Sequence, residues 1–152
     1  MAFSVDTSGW LDGWHRYYPR DVFPTLWVAI EERIDRGEII SSEEVYVELA
    51  RKDDDLHDWI KGRKKMLIAA DEAIQRRVAI ILGEYPRLVD TLRGRSQADP
   101  FVIATAIETQ SVVVTGESLG TALKPRIPFV CQALNVKCIT FLEMIRELRL
   151  TF

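Results

Sequence analysis

Four carboxylates flank segments that the sequence predicts to be buried. Asp6 comes directly after the apolar residues AFSV, and Glu117 lies just beyond the β-branched run 112–115. Because parallel strands present their carboxyl ends at one edge of a sheet, where ligands bind, both acids are expected at that edge. Asp99 opens the apolar run FVIATAI, and Glu48 borders the apolar face of a predicted helix. The four acids could therefore meet at one edge, although the spacing alone does not require it.

Carboxylates gathered in one place raise one another's pKa, and a divalent cation relieves their repulsion. Hard oxygen ligands favour Mg²⁺ or Mn²⁺. Such an ion polarises a phosphodiester and lowers the pKa of a bound water molecule. The two histidines of the chain, His15 and His57, do not neighbour a candidate acid in a recognisable motif. The pattern therefore favours a metal-bound water over histidine acid–base catalysis.

Each acid also has a simpler structural explanation. Asp99 precedes a proline at a helix start, where aspartate is a common N-cap. Glu48 could be a solvated helix residue, and Glu44 is its rival because it lies one helical turn earlier on the same face. Glu117 could be an ordinary loop acid. Asp6 is the hardest to explain by packing, because it follows a buried strand and precedes two hydroxyl residues.

The elements that must position these acids alternate between strands and helices. This alternation predicts one α/β domain over residues 1–152, with a mainly parallel central sheet in a three-layer α/β/α sandwich. Strands are expected at residues 2–5, 66–68, 112–115 and 136–139. Helices are expected at 24–36, from 43 to about 60, 70–84, from 99 onwards, 129–134 and 142–148. The pair Ile39–Ile40 is too short to assign alone.

Composition and charge narrow the class of protein. The 152 residues are 47% hydrophobic and 28% charged, which is typical of a globular domain. The N-terminus does not resemble a signal peptide, and no apolar run approaches the roughly 20 residues that cross a bilayer, so a cytoplasmic protein without a membrane partner is expected.

The formal net charge of −3 argues against a general nucleic-acid coat. Basic residues nevertheless cluster at 61–65 and 93–95, which suits an anionic polymer held beside an acidic site.

The aromatic residues after Asp6 admit two interpretations. Trp10 and Trp14 are four residues apart and so share one helix face. This spacing favours packing of the helix onto the body of the protein or a dimer partner over a base-stacking platform.

Four segments in chain order resemble the motifs of the PIN-domain superfamily. They are SVDTSGWLD, SSEEVYVELAR, ADPFVIATA and VVVTGE, and they supply Asp6 with Ser8, Glu48, Asp99, and Thr115 with Glu117. The likeness spans about residues 3 to 148, and the segment KPRIPFVCQALNVKCI is similar to a PIN subfamily with a Lys-Ile-Pro segment and a Cys nearby. The chain departs from the pattern at Gly116, where Asn or Arg is common, and at Glu117, where many toxin-type members have Asp.

The resemblance implies a PIN-like fold and a Mg²⁺- or Mn²⁺-dependent endoribonuclease. Asp6, Asp99 and Glu117 would hold the principal ion, and Glu48 would hold it or a second ion and orient water. Ser8 and Thr115 would orient these ligands through hydrogen bonds. RNA phosphates would contact Lys61, Arg63, Lys64, Arg93 and Arg95. Many relatives are VapC-like toxins of toxin–antitoxin pairs, so the resemblance also implies an antitoxin partner and a homodimer.

Three other functions were compared with the same residues: a non-catalytic binding module, an aspartyl phosphatase and a dinucleotide-binding protein. A PIN-like module could bind RNA or protein without cutting it, and the sequence does not exclude this alternative. An aspartyl phosphatase would need a second Asp two residues after Asp6, where Ser8 stands. A dinucleotide-binding protein would need the Gly-x-Gly-x-x-Gly pattern after the first strand, and that pattern is missing.

Overall fold

A computed structural model describes residues 1–89 and 97–152 of the chain. Within these residues, five parallel strands form one sheet in the order β3-β2-β1-β4-β5. The strands are β1 (Phe3–Val5), β2 (Ile39–Ser42), β3 (Leu67–Ile68), β4 (Val112–Val114) and β5 (Cys138–Ile139). Helices flank the sheet, so the α/β prediction is confirmed, and the arrangement is consistent with the three-layer sandwich. In the described residues, no helix has the length and apolar character needed to cross a membrane.

Eight α-helices connect and cover the strands in the described part of the chain. They are α1 (Thr7–Leu11), α2 (Pro24–Asp35), α3 (Glu43–Leu49), α4 (Asp54–Lys61), α5 (Glu72–Glu84), α6 (Asp99–Thr109), α7 (Ile127–Ala133) and α8 (Phe141–Glu147). A π-helical segment, Asp12–Tyr17, continues directly from α1, and short 3-10 turns lie at Lys64–Met66 and Pro86–Leu88. Helix α6 packs against β1, β2 and β4, which explains its almost wholly apolar sequence.

The central strand β1 sets the register of the sheet. Phe3 lies beside Ile39 of β2 on one side and beside Val112 of β4 on the other. Because both neighbours run parallel to β1, the three strands end at the same edge. The segments that follow β1 and β4 therefore leave the sheet side by side, as the sequence predicted for Asp6 and Glu117.

The aromatic core ties the first helix to the sheet. Trp10 is fully buried, and its ring lies 6.4 Å from that of Trp27 and 5.8 Å from that of Trp59. Its indole N–H donates to Ser41 Oγ at 2.8 Å, and the Ser41 hydroxyl donates to the Val5 carbonyl at 2.6 Å. Trp10 thus packs α1 onto the body of the protein, which is the interpretation that the spacing of Trp10 and Trp14 favoured.

The structure changes one predicted helix, assigns one segment that the sequence left open, and corrects the role of Asp99. The helix expected from residue 43 to about 60 is two helices, because Asp53 has extended backbone and caps α4 by accepting from Leu56 N at 2.8 Å. The pair Ile39–Ile40 belongs to β2, which is paired on both sides and so needs few residues. Asp99 is not the N-cap of α6: the cap is Ala98, and Asp99 is the first helical residue. The capping explanation for Asp99 is therefore wrong.

Candidate metal centre

The structure brings the four predicted acids into one pocket. Asp6, Glu48, Asp99 and Glu117 all line a cavity of about 610 Å³ at the carboxyl edge of the sheet. They come from four places: the end of β1, the last turn of α3, the start of α6 and the segment after β4. The four acids therefore share one pocket, which is the first condition of the metal-site hypothesis.

Asp6 is buried and held by two hydroxyl groups. Its Oδ2 accepts from Ser8 Oγ and from Thr115 Oγ1, each at 2.6 Å, while its Oδ1 accepts from Ser8 N at 3.3 Å and so caps α1. The two hydroxyls in turn accept from the backbone of the segment after β4: Gly116 N donates to Ser8 Oγ at 2.9 Å, and Glu117 N donates to Thr115 Oγ1 at 3.1 Å. Ser8 and Thr115 therefore fix Asp6 relative to Glu117.

The remaining acids are held by backbone N–H groups from other elements. Glu117 Oε2 accepts from Ile127 N at the start of α7 at 3.2 Å. Glu48 Oε2 accepts from Ala98 N at 3.4 Å, and its Oε1 lies 3.6 Å from Lys52 Nζ. Glu44 does not line this cavity. Of the two rival acids on α3, the structure thus places Glu48 in the pocket.

Burial and mutual repulsion change the protonation of the pocket. Burial raises the pKa of Asp6 to about 7, and the charge of Glu117 adds to this, against the opposing effect of the hydroxyl bonds. Burial, followed by the charges of Asp6, Glu117 and Glu48, raises the pKa of Asp99 to about 10. Burial also raises the pKa of Glu117, although the bond from Ile127 N opposes it. A bound cation would favour the charged form of all these groups.

The donor set fits a hard divalent cation. It consists of carboxylate oxygens, which Mg²⁺ and Mn²⁺ prefer, and one further hydroxyl. That hydroxyl is Thr7 Oγ1, which is buried beside the pocket and has no hydrogen-bond partner among the described residues. Within residues 1–89 and 97–152, however, no three His, Cys, Asp or Glu side chains already form a ready-made metal site. The acids share a pocket, and ion binding would require them to turn their oxygens toward one point.

Sequence reasoning missed five polar or charged side chains that also line the pocket. Beside Thr7, these are an acid and three bases: Asp12, Arg16, Lys52 and Arg126. A Cβ added at Gly116 would overlap Asp12 Oδ2, so the glycine leaves room for this carboxylate. The available signal was the acid–base spacing of four residues in the pairs Asp12/Arg16 and Glu48/Lys52, which is compatible with any solvated helix face.

Of the basic residues predicted to contact RNA, Lys61, Arg63 and Lys64 do not line the acidic pocket. Arg63 bonds to Glu31 and to the Trp59 carbonyl, and its guanidinium lies 4.3 Å from the centre of the Trp59 ring. The Lys64 ammonium lies 5.3 Å from the Tyr46 ring, and Lys61 ends α4. The predicted contacts Arg93 and Arg95 fall outside the described residues. An RNA-binding role for these five residues stays a prediction.

The fold and the pocket together define an α/β protein with a cluster of buried carboxylates at the carboxyl edge of a parallel sheet. Residues 3–152 match the family described as Domain of unknown function (DUF4411), and the chain belongs to that family. No curated protein matches the sequence. Because the family description assigns no activity, the functional argument depends on the site itself.

Proposed function

We propose that this protein is a Mg²⁺- or Mn²⁺-dependent endoribonuclease that hydrolyses RNA phosphodiester bonds at the acidic pocket. The observation that carries the proposal is the convergence of Asp6, Glu48, Asp99 and Glu117 in one cavity. Burial of several carboxylates in one pocket is costly, and a protein that only needed stability would have apolar or amide side chains at these positions. The resemblance of the four segments to PIN-domain motifs supports the same activity.

Asp6, Asp99 and Glu117 would hold the principal ion, and Glu48 would hold that ion or a second one. When bound, the ion supplies a water molecule of lowered pKa and offsets the negative charge of the reacting phosphate. The hydroxyls of Ser8 and Thr115 hold the Asp6 carboxylate in one orientation, because both donate to the same oxygen. Hydrogen bonds of this kind fix the direction of a metal ligand.

The histidines support a reaction without histidine acid–base catalysis. The His15 ring is hydrogen-bonded to Asp53, and the His57 ring stacks on Tyr46 with 4.2 Å between ring centres. Neither ring lines the acidic pocket. The polar side chains of the acidic pocket are therefore carboxylates, hydroxyls, two arginines and a lysine.

The proposal includes a biological setting that comes from the PIN resemblance alone. In that setting the protein is the cytoplasmic toxin of a toxin–antitoxin pair, acts as a homodimer and is inhibited by an antitoxin protein. Co-purification of the chain with the product of a neighbouring gene, followed by loss of ribonuclease activity in the complex, tests this setting separately from the chemistry.

Incubation of purified protein with mixed-sequence RNA and Mn²⁺ tests the activity. We expect fragments with wild type, none in EDTA and none with Asp99→Asn. The matched control is Glu72→Gln, which removes one carboxylate from a side chain that is 80% exposed on α5 and should cleave like wild type. Equal fragment yields from wild type and Asp99→Asn would assign the signal to a contaminant and refute the proposal. RNA binding by wild type without cleavage in Mn²⁺ would instead support the non-catalytic binding module.

A further inference from the structure

Three basic side chains surround the acidic pocket, and they come from three separate elements. Arg16 lies on the π-helical segment, Lys52 follows α3, and Arg126 immediately precedes α7. Each of these bases lies close to one acid of the same pocket. Arg16 Nη1 lies 3.3 Å from Asp12 Oδ1, Lys52 Nζ lies 3.6 Å from Glu48 Oε1, and Arg126 adjoins the N–H group that binds Glu117. We call these three bases the rim.

The rim bases are held loosely enough to exchange partners. The Arg16 side chain is 68% exposed and that of Lys52 is 50% exposed. Their distances to the acids exceed the roughly 2.7–2.9 Å of a strong charge-assisted hydrogen bond. The acids of these pairs, Asp12 and Glu48, are only 15% and 13% exposed. A cation bound at the pocket acids would take over their negative charge, so a phosphate with several acceptor oxygens could then take the bases at small cost.

The charge of the pocket shows why a rim is needed. Five acids line the cavity beside the three bases, and the chain as a whole carries a formal charge of −3, so the ionised acids offset the bases and repel a polyanion. A cation bound at the carboxylates removes part of this repulsion, and it leaves the rim bases with weaker acid partners. The rim then presents positive charge at the opening of the cavity, where a nucleic-acid backbone would pass.

We propose that Arg16, Lys52 and Arg126 hold the backbone phosphates of the RNA substrate on either side of the bond that is cut. This inference rests on the proposed function, since it names the groups that grip the substrate of the same site. It also moves the phosphate contacts away from Lys61, Arg63 and Lys64, which the structure places outside the pocket. The cavity volume of about 610 Å³ lies within the range of ligand sites, roughly 300–1,000 Å³.

The test measures binding of a fluorescently labelled single-stranded RNA by anisotropy in excess Mn²⁺. The background is Asp99→Asn, so that the RNA stays intact while Asp6, Glu48 and Glu117 remain to hold the ion. Arg16→Gln and Lys52→Gln are each expected to weaken binding on the order of fivefold or more, as for loss of a charged hydrogen-bond donor. Each should also reduce the slope of log Kd against log salt by about 0.7, the value for one phosphate contact of a single strand. Arg16→Lys should restore the slope, because it keeps the charge.

Matched controls are available elsewhere on the surface. Arg76→Gln removes an arginine that is 70% exposed and paired with an acid four residues away, like Arg16. Lys137→Gln removes a lysine that is 57% exposed and paired with Glu147, like Lys52. Both controls should bind RNA like the background protein. Equal binding by the rim and control variants, or no RNA binding by the background protein, would overturn the rim proposal.

The outcomes for the rim and for catalysis are distinguishable. If wild type fails to cleave RNA in Mn²⁺ while the rim variants weaken RNA binding and lower the salt slope, the rim proposal stands and the nuclease proposal falls. If wild type cleaves RNA and the rim variants match their controls in KM and in binding, only the rim proposal falls. A rise in KM with little change in kcat for Arg16→Gln supports a role in holding substrate.

Discussion

The substitution Asp99→Asn should stabilise the metal-free protein at neutral pH while it weakens metal binding. Asp99 is 4% exposed at the start of α6, and burial together with the neighbouring acids raises its pKa from 3.8 to about 10. The folded protein must therefore take up a proton at this side chain near pH 7, whereas the unfolded chain leaves it ionised. An asparagine keeps the shape of the side chain and needs no proton.

The sign and size of the effect follow from the direction of the pKa change. A raised pKa in the folded state contributes stability that is fully present below about pH 4 and is lost as pH rises toward the folded value. Between pH 5 and 7 the loss is about 1.4 kcal/mol per pH unit, or roughly 3 kcal/mol in all. For a chain of this size, that corresponds to roughly 6–12 °C in Tm. The Asn variant lacks this contribution, so its Tm should rise relative to wild type by that amount over the same interval.

Thermal unfolding followed by circular dichroism at pH 5, 6 and 7 in EDTA measures this difference. Glu72→Gln, at an exposed position on α5, controls for the loss of one carboxylate. Addition of Mn²⁺ at pH 7 should then remove most of the difference, because ligand at about 100 times its Kd stabilises wild type by about 2.7 kcal/mol and the variant much less. A Tm difference between Asp99→Asn and wild type that does not change from pH 5 to 7 would refute the argument, since Asp99 would then not be a buried, unpaired acid.

Three further predictions concern the same pocket and its support. Mn²⁺ binding should strengthen as pH rises from 5 to 8, because the ion displaces protons from acids of raised pKa; calorimetry in buffers of different ionisation enthalpy should show proton release. Glu48→Gln should reduce cleavage at least tenfold while Glu44→Gln reduces it less than twofold, and the opposite order would favour the rival acid. Gly9→Ala should destabilise the protein by about 1–3 kcal/mol in chemical denaturation, because a Cβ there would lie 2.7 Å from the Val114 carbonyl oxygen. The control for the added methyl group is Gly83→Ala on α5, where a Cβ meets nothing within 4 Å and should raise stability by up to about 1 kcal/mol.

The parts of the site that sequence could predict are those fixed by strand topology. A buried strand followed by an acid places that acid at the carboxyl edge of a parallel sheet, whatever the rest of the chain does. Asp6 and Glu117 follow this rule, because β1 and β4 are adjacent and end together. Glu48 and Asp99 are on helices, and their positions depend on how α3 and α6 pack. For these two, the resemblance to PIN motifs added information that periodicity did not contain.

The parts that sequence missed depend on local breaks and on contacts between distant segments. Asp53 ends the expected long helix because its side chain caps α4, and the apolar spacing continues across the break. The short strand β2 is stable because it has a partner on each side, which a window of four residues cannot reveal. Asp12 reaches the pocket through a π-helical segment, whose wider turn departs from the period used to assign faces.

Clustering of basic residues in the sequence also did not predict which of them line the acidic pocket. The run 61–65 has four of them, yet Arg63 is occupied by Glu31 and Trp59, and Lys65 pairs with Asp35 at 2.6 Å. The bases that reach the pocket are single residues on different elements. Consecutive residues on one helical turn direct their side chains to different sides. A binding site instead needs side chains from several elements that are directed to one place.

The arrangement of the pocket separates its acids from its bases by depth, and the separation has a physical cause. Asp6 and Asp99 have short side chains on core elements, so they can be buried where a cation would share their charge. Lysine and arginine have long side chains and are rarely buried without a partner, so they extend from element ends to the opening. A cation at the floor and phosphates at the rim would satisfy both sets of charges at once, and neither ligand alone would do so. Metal binding and RNA binding should therefore strengthen each other, and the measured Kd of either ligand should fall in the presence of the other.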